Sequence, residues 1–153
     1  YNDTVNYCNT YGGLYQWDEM MQYDTIEGVQ GICPTGWHIP TDGEWTTATT
    51  FLGGEGVAGG KMKSTGTIQA GTGLWNTPNT GATNESGFTA VPAGSRNDIS
   101  SFVLIGDYGP WWSSTEDNTS DAWYRYLYYS VSNVGRWPYV KILGFSVRCL
   151  RDF

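Results

Sequence analysis

From Gly53 to Gly109, glycine, threonine, asparagine, serine and proline recur so often that neither the helical period of about 3.6 nor the strand period of about 2 is sustained. A run of this length without regular structure is uncommon inside a compact domain. Where it occurs, it binds something or is fixed by specific side-chain contacts. Any fold of this chain must therefore hold a long irregular segment in place, and Trp75 and Phe88 are the side chains in it expected to act as pins. The means exist elsewhere too: 8 Trp, 11 Tyr and 5 Phe among 153 residues, with only 15% charged residues. That is the reverse of a disordered composition, and a chain of this length buries roughly two thirds of its unfolded surface. A single domain spanning 1–153 is expected.

The remaining signals predict an α+β, loop-rich fold with two helices and a small, mainly antiparallel sheet. Leu14, Trp17, Met20 and Met21 fall at three-to-four spacing, which predicts a short helix near Trp17 with a core-facing stripe. After Pro40, Thr41-Asp42-Gly43-Glu44 has the form of a capping box, Trp45, Ala48 and Phe51 or Leu52 share one face, and Gly53-Gly54 supplies the stop. The threonines of this second helix are poor helix formers, so its stability must come from tertiary packing. Strands are expected at Ser101–Ile105, Trp111–Thr115, Ala122–Val131 and Gly144–Leu150.

Charge and cysteine usage exclude several classes. Eight Lys and Arg face fifteen Asp and Glu, a net charge of −7, so there is no basic stripe to neutralise phosphates and no nucleic-acid partner is expected. Apolar runs such as Phe102 to Gly106 are far too short to span a bilayer, so membrane insertion by this segment is not expected. The abrupt polar start at Tyr1 reads as a segment of a longer exported protein. Cys8, Cys33 and Cys149 form an odd set with no C-x-x-C, and Cys33 with His38 offers zinc too few of its roughly four ligands, so no metal site is expected there. A disulfide is the more ordinary fate. If Cys33 pairs with Cys149, a loop of roughly 100 residues or more is closed, worth about 4 to 5 kcal/mol in the chain-entropy model. Such a bond belongs to an oxidising setting, and Cys8 is then left for an outside partner or as a free thiol.

Catalytic constellations are weak. Gly54-Glu55-Gly56-Val57-Ala58-Gly59 matches G-x-G-x-x-G, but it follows a helix and precedes Lys61-Met62-Lys63-Ser64, so a flexible glycine turn is expected instead of a nucleotide site. His38 is the only histidine, lies between Trp37 and Ile39, and reads as a structural, hydrogen-bonded residue. Carboxylates such as Asp18-Glu19 and Glu116-Asp117 are adjacent in sequence and do not form an acid/base pair by themselves. Glu116, Asp117, Asn118 and Asp121 offer calcium hard oxygen ligands, although a solvated acidic loop is the commoner outcome of such a run. No enzyme activity and no cofactor are expected.

One segment stands apart. Trp123 to Val140 holds Trp123, Tyr124, Tyr126, Tyr128, Tyr129, Trp137 and Tyr139 among Ser130, Ser132, Asn133 and Gly135. If Leu127 and Val131 face inward on a strand, Tyr124, Tyr126, Tyr128 and Ser130 point the other way together. Tyrosines mixed with Ser, Gly and Asn are the composition of binding surfaces, because Tyr gives large contact area with little rotamer entropy to lose. Tyrosines covering a second core layer are the alternative.

Several blocks together closely resemble the Fibrobacter succinogenes major paralogous domain, in the right order over nearly the whole chain. They are Tyr11-Gly12-Gly13-Leu14-Tyr15-Gln16-Trp17, Gly31-Ile32-Cys33-Pro34-Thr35-Gly36-Trp37-His38-Ile39-Pro40 with Glu44-Trp45, Ser86-Gly87-Phe88 with Pro92-Ala93-Gly94-Ser95-Arg96, Trp112-Ser113-Ser114-Thr115-Glu116, and Gly144-Phe145-Ser146-Val147-Arg148-Cys149. The resemblance implies a C-type-lectin-like fold near the formylglycine-generating-enzyme type and an extracellular or cell-surface location in bacteria. It also implies pairing of Cys33 with Cys149, and Trp17, Trp37, Trp45, Trp75, Trp112 and Phe145 as scaffold. Lectin-like domains of this type serve as variable proteins of diversity-generating retroelements, which would make Tyr124 to Asn133 a candidate diversified surface. The copper-binding cysteine pair of the catalytic relatives is missing, so oxidase activity does not carry over. Where relatives are usually polar, this chain has Trp137-Pro138-Tyr139-Val140-Lys141-Ile142-Leu143. The expectation is a domain binding a protein or carbohydrate ligand through Tyr124, Tyr126, Tyr128, Ser130, Asn133, Trp137, Tyr139 and Ile142. A structural or assembly domain of a surface filament or adhesin is the alternative.

Overall fold

A computed structural model describes residues 5–152. The start at Tyr1, on which the expectation of a longer exported chain rests, lies outside the described residues. In chain order the elements are α1 (Val5–Tyr11), α2 (Trp17–Met20), β1 (Trp37–His38), α3 (Asp42–Phe51), α4 (Glu55–Met62), β2 (Ser95–Arg96), β3 (Phe102–Val103), β4 (Tyr108–Glu116), β5 (Asp121–Tyr128), β6 (Gly135–Val140) and β7 (Leu150–Arg151). The paired strands are antiparallel, β1 with β7, β2 with β3, and a central sheet in the order β4-β5-β6. The expected loop-rich α+β character holds, with four helices among the described residues where two were expected.

The α3 start follows its sequence signal. Thr41 Oγ1 accepts from the Glu44 amide at 3.1 Å, and the Glu44 carboxylate accepts from the Thr41 amide at 2.8 Å, which satisfies two otherwise orphaned donors. The buried face matches expectation in part: Trp45 is covered and Leu52 packs half-buried on the same core, but Thr49 is buried where Ala48 was expected, and Ala48 and Phe51, the latter 88%, are exposed. The helix is turned by Arg125, whose guanidinium grips Asp42 and Thr46, so the row of Trp45 and Thr49 meets the sheet. The glycine-rich stretch after it is not a flexible turn but α4. Its glycines lower helix propensity but let the helix touch other backbone: a Cβ on Gly59 would strike the Asn133 carbonyl, and one on Gly60 the Gly81 carbonyl. Gly60 also donates to Ser132 O at 2.9 Å across this seam.

The long irregular segment is pinned as expected, and by one residue more. Trp75 is fully buried and donates its indole N–H to Ala90 O at 2.9 Å. Phe88 packs edge-on between Trp45 and Trp111, with ring centres 5.8 and 5.5 Å away. Lys63 is the third pin: its ammonium is wholly buried and donates to the carbonyls of Thr80, Tyr128 and Val131 at 2.9, 3.2 and 2.9 Å. Cys33 and Cys149 are disulfide-bonded, with Cα atoms 5.8 Å apart, and Cys8 is exposed as a free thiol.

The strand expectations need two corrections. Gly144–Leu150 is not one strand: it makes isolated bridges from Gly144, Phe145 and Ser146 to Arg96, Tyr15 and Trp111, and only Leu150 enters β7. Conversely, β6 carries Pro138 at its middle, which argues against a strand in sequence but is tolerated at a sheet edge. Ser146 covers the outer side of β4, so β6 is the free edge. The sheet separates two cores. Trp17, Met20, Ile39, Trp112, Tyr124 and Phe145 pack on one face, and Trp45, Met62, Trp75, Trp111 and Leu127 on the other. Trp37, expected in the scaffold, is instead partly exposed on the two-residue strand β1.

Candidate functional site

Strand alternation and register together decide which aromatics meet. Tyr108 lies opposite Tyr128, Trp112 opposite Tyr124, Tyr124 opposite Trp137 and Ala122 opposite Tyr139. Side chains alternate along a strand, so Tyr108, Trp112, Tyr124, Tyr126, Tyr128, Trp137 and Tyr139 share one face, while Trp111, Arg125, Leu127 and Arg136 share the other. The aromatic face passes from core to solvent. At its inner end Tyr124 packs on Phe145 and Trp112, with centroids 4.8 and 6.0 Å away, and is only 6% exposed. The expected outward position of Tyr124 is therefore corrected: Phe145, carried by the Tyr15 bridge, roofs that end.

Tyr126 stacks on Tyr124 at 5.5 Å, and its ring covers Gly135, where any Cβ would collide with it. The Tyr108 hydroxyl donates to that of Tyr124 at 3.0 Å, and burial pushes both phenols above their ordinary value. Tyr126 and Tyr128 are half-buried. The face opens sideways, toward the β6 edge: Trp137, opposite Tyr124, is 63% exposed, Tyr139, opposite Ala122, 46%, and Ile142 54%. Ser130 and Asn133 belong to the connection between β5 and β6, outside the sheet. Val131, expected inward, is exposed there. That connection is clamped by Lys63 and by Ser132, whose hydroxyl donates to Gly56 O at 3.1 Å.

Charge is arranged around this face. Asp42 at the start of α3 receives Arg125, which is 2% exposed in its side chain, and Arg136, which also stacks 3.7 Å from the Trp123 ring centre. Lys141 is buried against Trp17, pairs with Glu116 and donates to Thr119 O at 3.1 Å. The acidic turn considered for calcium is engaged internally: Glu116 holds Lys141, and the Asn118 amide donates to Asp117 and Asp121 at 3.0 Å each. Among the described residues no group of three His, Cys, Asp or Glu is placed to hold a metal. His38 sits away from the aromatic face, its ring nitrogens 2.6 Å from Asp152 and 3.1 Å from Glu44. Burial opposes its charging, but the hydrogen bonds to Asp152 and Glu44 prevail and raise its pKa above the ordinary value. It ties β1 to α3 and to Asp152, just after β7.

Among the described residues, clefts also lie elsewhere. One, of about 660 Å³, lies between α3 and Phe88 and is walled by Trp45, Phe51, Met62 and Arg148; another, of about 420 Å³, is lined by Tyr11, Tyr15 and Ser146. Sequence reasoning missed Lys63, Arg125 and Asp42 as ion and hydrogen-bond centres, since isolated charges give no periodic signal and their partners lie 17 to 94 residues away.

No curated protein and no solved structure matches the chain. A family model does match, over residues 1–151. The chain therefore belongs to the Fibrobacter succinogenes major domain family.

Proposed function

We propose that this is an extracellular or cell-surface ligand-binding domain that engages a protein or glycan through the open β6 edge of its aromatic face, with Trp137 and Tyr139 at the centre, Ile142 to one side and Tyr126 and Tyr128 to the other. The observation that carries it is the exposure of Trp137 in a domain that fully buries Trp17, Trp75 and Trp112. An indole held on a rigid strand is not needed for folding at that position, and covering it is among the largest gains available to a partner. The Cys33–Cys149 disulfide supports an oxidising, exported setting. Binding without catalysis is the reading proposed, and the engagement of both ring nitrogens of His38, the single histidine, by Asp152 and Glu44 supports it.

The test compares the wild-type domain with Trp137→Ala/Tyr139→Ala on printed arrays of glycans and of surface proteins. Capture of a defined subset by the wild type, weakened at least about tenfold by the double change while the melting midpoint moves by no more than about 2 °C, is the expected result. An unchanged binding profile overturns the proposal. A reverse-transcriptase gene next to this one, with an imperfect template copy of codons 122–148, would make the face a diversified one; a neighbourhood lacking both removes that part.

A further inference from the structure

The character of the ligand follows from where the charges stand. The chain carries 15 Asp and Glu against 8 Lys and Arg, and three of those cations, Lys63, Arg125 and Lys141, are buried. Arg125 and Lys141 are each matched by a carboxylate, Asp42 and Glu116. Lys63 is matched only by carbonyls, so the exterior is more negative than the net charge of −7 suggests.

Around the aromatic face the imbalance is local. Arg136 projects to the opposite face and is spent on Asp42 and Trp123. At the Ile142 side stands the start of α2, docked there by Trp17 N to Lys141 O at 3.0 Å and Gln16 Nε2 to Ile142 O at 2.9 Å, with Asp18 and Glu19 exposed on it. At the Tyr128 side stands Asp107, whose carbonyl accepts from Tyr129 at 2.9 Å and whose carboxylate, after burial, raises the Tyr128 phenol. Arg96, which bridges to Gly144, is the cation left near this face, and its guanidinium is turned onto Ser100 Oγ at 2.8 Å.

Exposed aromatic rings present negative π-faces, and carboxylates at both ends add to that field. Trp137 and Tyr139, two residues apart on one strand, are spaced by about 7 Å, a span that an Arg or Lys side chain laid along the strand can cover. We infer that the aromatic face of the β4-β5-β6 sheet takes a cationic protein segment, its Arg or Lys side chains stacked on Trp137 and Tyr139 between Asp107 and the Asp18-Glu19 pair, and rejects anionic glycans. This rests on the binding role proposed above and narrows it to one charge class.

The experiment measures binding of three probes to the intact domain by titration: an Arg/Lys-rich decapeptide, the same peptide with Glu at every cationic position, and a sulfated glycosaminoglycan. The cationic peptide should bind, lose about tenfold in affinity between about 50 and about 500 mM NaCl, and lose a further tenfold or so in Trp137→Ala/Tyr139→Ala. Asp18→Asn/Glu19→Gln should weaken it severalfold, and Glu55→Gln/Glu85→Gln, on the α4 side of the sheet and so behind the aromatic face, should not. Binding of the cationic peptide that depends on Glu55 and Glu85 but not on Trp137 overturns the inference, as does binding of the Glu peptide or the sulfated glycan that Trp137→Ala abolishes. The latter result leaves the aromatic face as the binding surface and inverts only its charge preference. Array binding insensitive to Trp137 would instead remove the broader proposal.

Discussion

Replacing Asp42 by alanine removes the one carboxylate shared by Arg125 and Arg136. Arg125 is then a buried cation without a counter-charge, a situation that costs about 3 to 5 kcal/mol. It keeps hydrogen bonds to Asp42 O at 3.0 Å and Thr46 Oγ1 at 2.8 Å, which argues for the lower end of that range. The Arg136 pair is open to solvent on its arginine side and adds about 1 kcal/mol or less, and loss of an acid in the first turn of α3 adds a few tenths. The sum is about 4 kcal/mol, or a fall of about 10 °C in melting midpoint for a domain of this size. Urea unfolding followed by tryptophan fluorescence should show a midpoint lower by about 2 M with an unchanged slope. Adding Arg125→Met, which removes the stranded charge and keeps the volume, should return at least half of the loss. A single-variant cost below about 1 kcal/mol, or no recovery in the double variant, would refute the assignment. Acid probes the same network. Burial resists ionisation of Asp42, but its hydrogen bonds from Arg136 and Arg125 outweigh that and hold the carboxyl below its usual value. This stabilisation is present above the unfolded value of about 3.9 and is lost as pH falls through the lower folded value, so Asp42→Ala/Arg125→Met should show a flatter acid limb.

Burial lowers the Lys63 pKa to about 8, so between there and the ordinary lysine value the unfolded chain binds more protons and stability should rise with pH, by on the order of 3 kcal/mol. Lys63→Met in a Cys8→Ser background, studied by chemical denaturation from about pH 7.5 to about pH 9.5, should abolish that rise; a wild type whose stability falls across this window would contradict it. Gly135→Ala should cost about 1 to 3 kcal/mol by displacing the Tyr126 ring, and the same change should be nearly silent when Tyr126 is already alanine; equal costs in both backgrounds would mean that the ring is not the obstacle. Cys33→Ser/Cys149→Ser should lose about 4 kcal/mol, read by denaturant midpoint, and a loss under about 1 kcal/mol would mean that the intervening chain is already constrained when unfolded.

What the sequence made legible was local. The Thr41–Glu44 capping box lies within four residues and reads directly, and the Trp17 to Met21 stripe does so at helical spacing. Tyr124, Tyr126 and Tyr128 were rightly placed on one face by alternation, but alternation cannot tell a roofed position from an open one. Phe145, brought from 21 positions further on, covers Tyr124 and leaves Tyr126 and Tyr128 half-open, and nothing near position 124 encodes that. The helix α4 was hidden because its glycines are poor helix formers chosen for backbone contact with 132–133 and with Gly81, a tertiary reason invisible to propensity. The strand β6 was hidden by Pro138 for the same kind of cause: its acceptability depends on being last in the sheet.

That proline has a consequence for the company the domain keeps. Lys141 donates to Ser120 O, so by antiparallel alternation Gly135, Trp137 and Tyr139 bond inward to β5, and the backbone of Arg136, Pro138 and Val140 faces outward. At the centre of this outer rim there is no N–H to offer. A neighbouring molecule cannot extend the sheet through it in continuous register, so crowded copies of the domain are protected from polymerising edge to edge. An apolar, aromatic strand can thus stand bare in concentrated surroundings, available to side chains and closed to backbones.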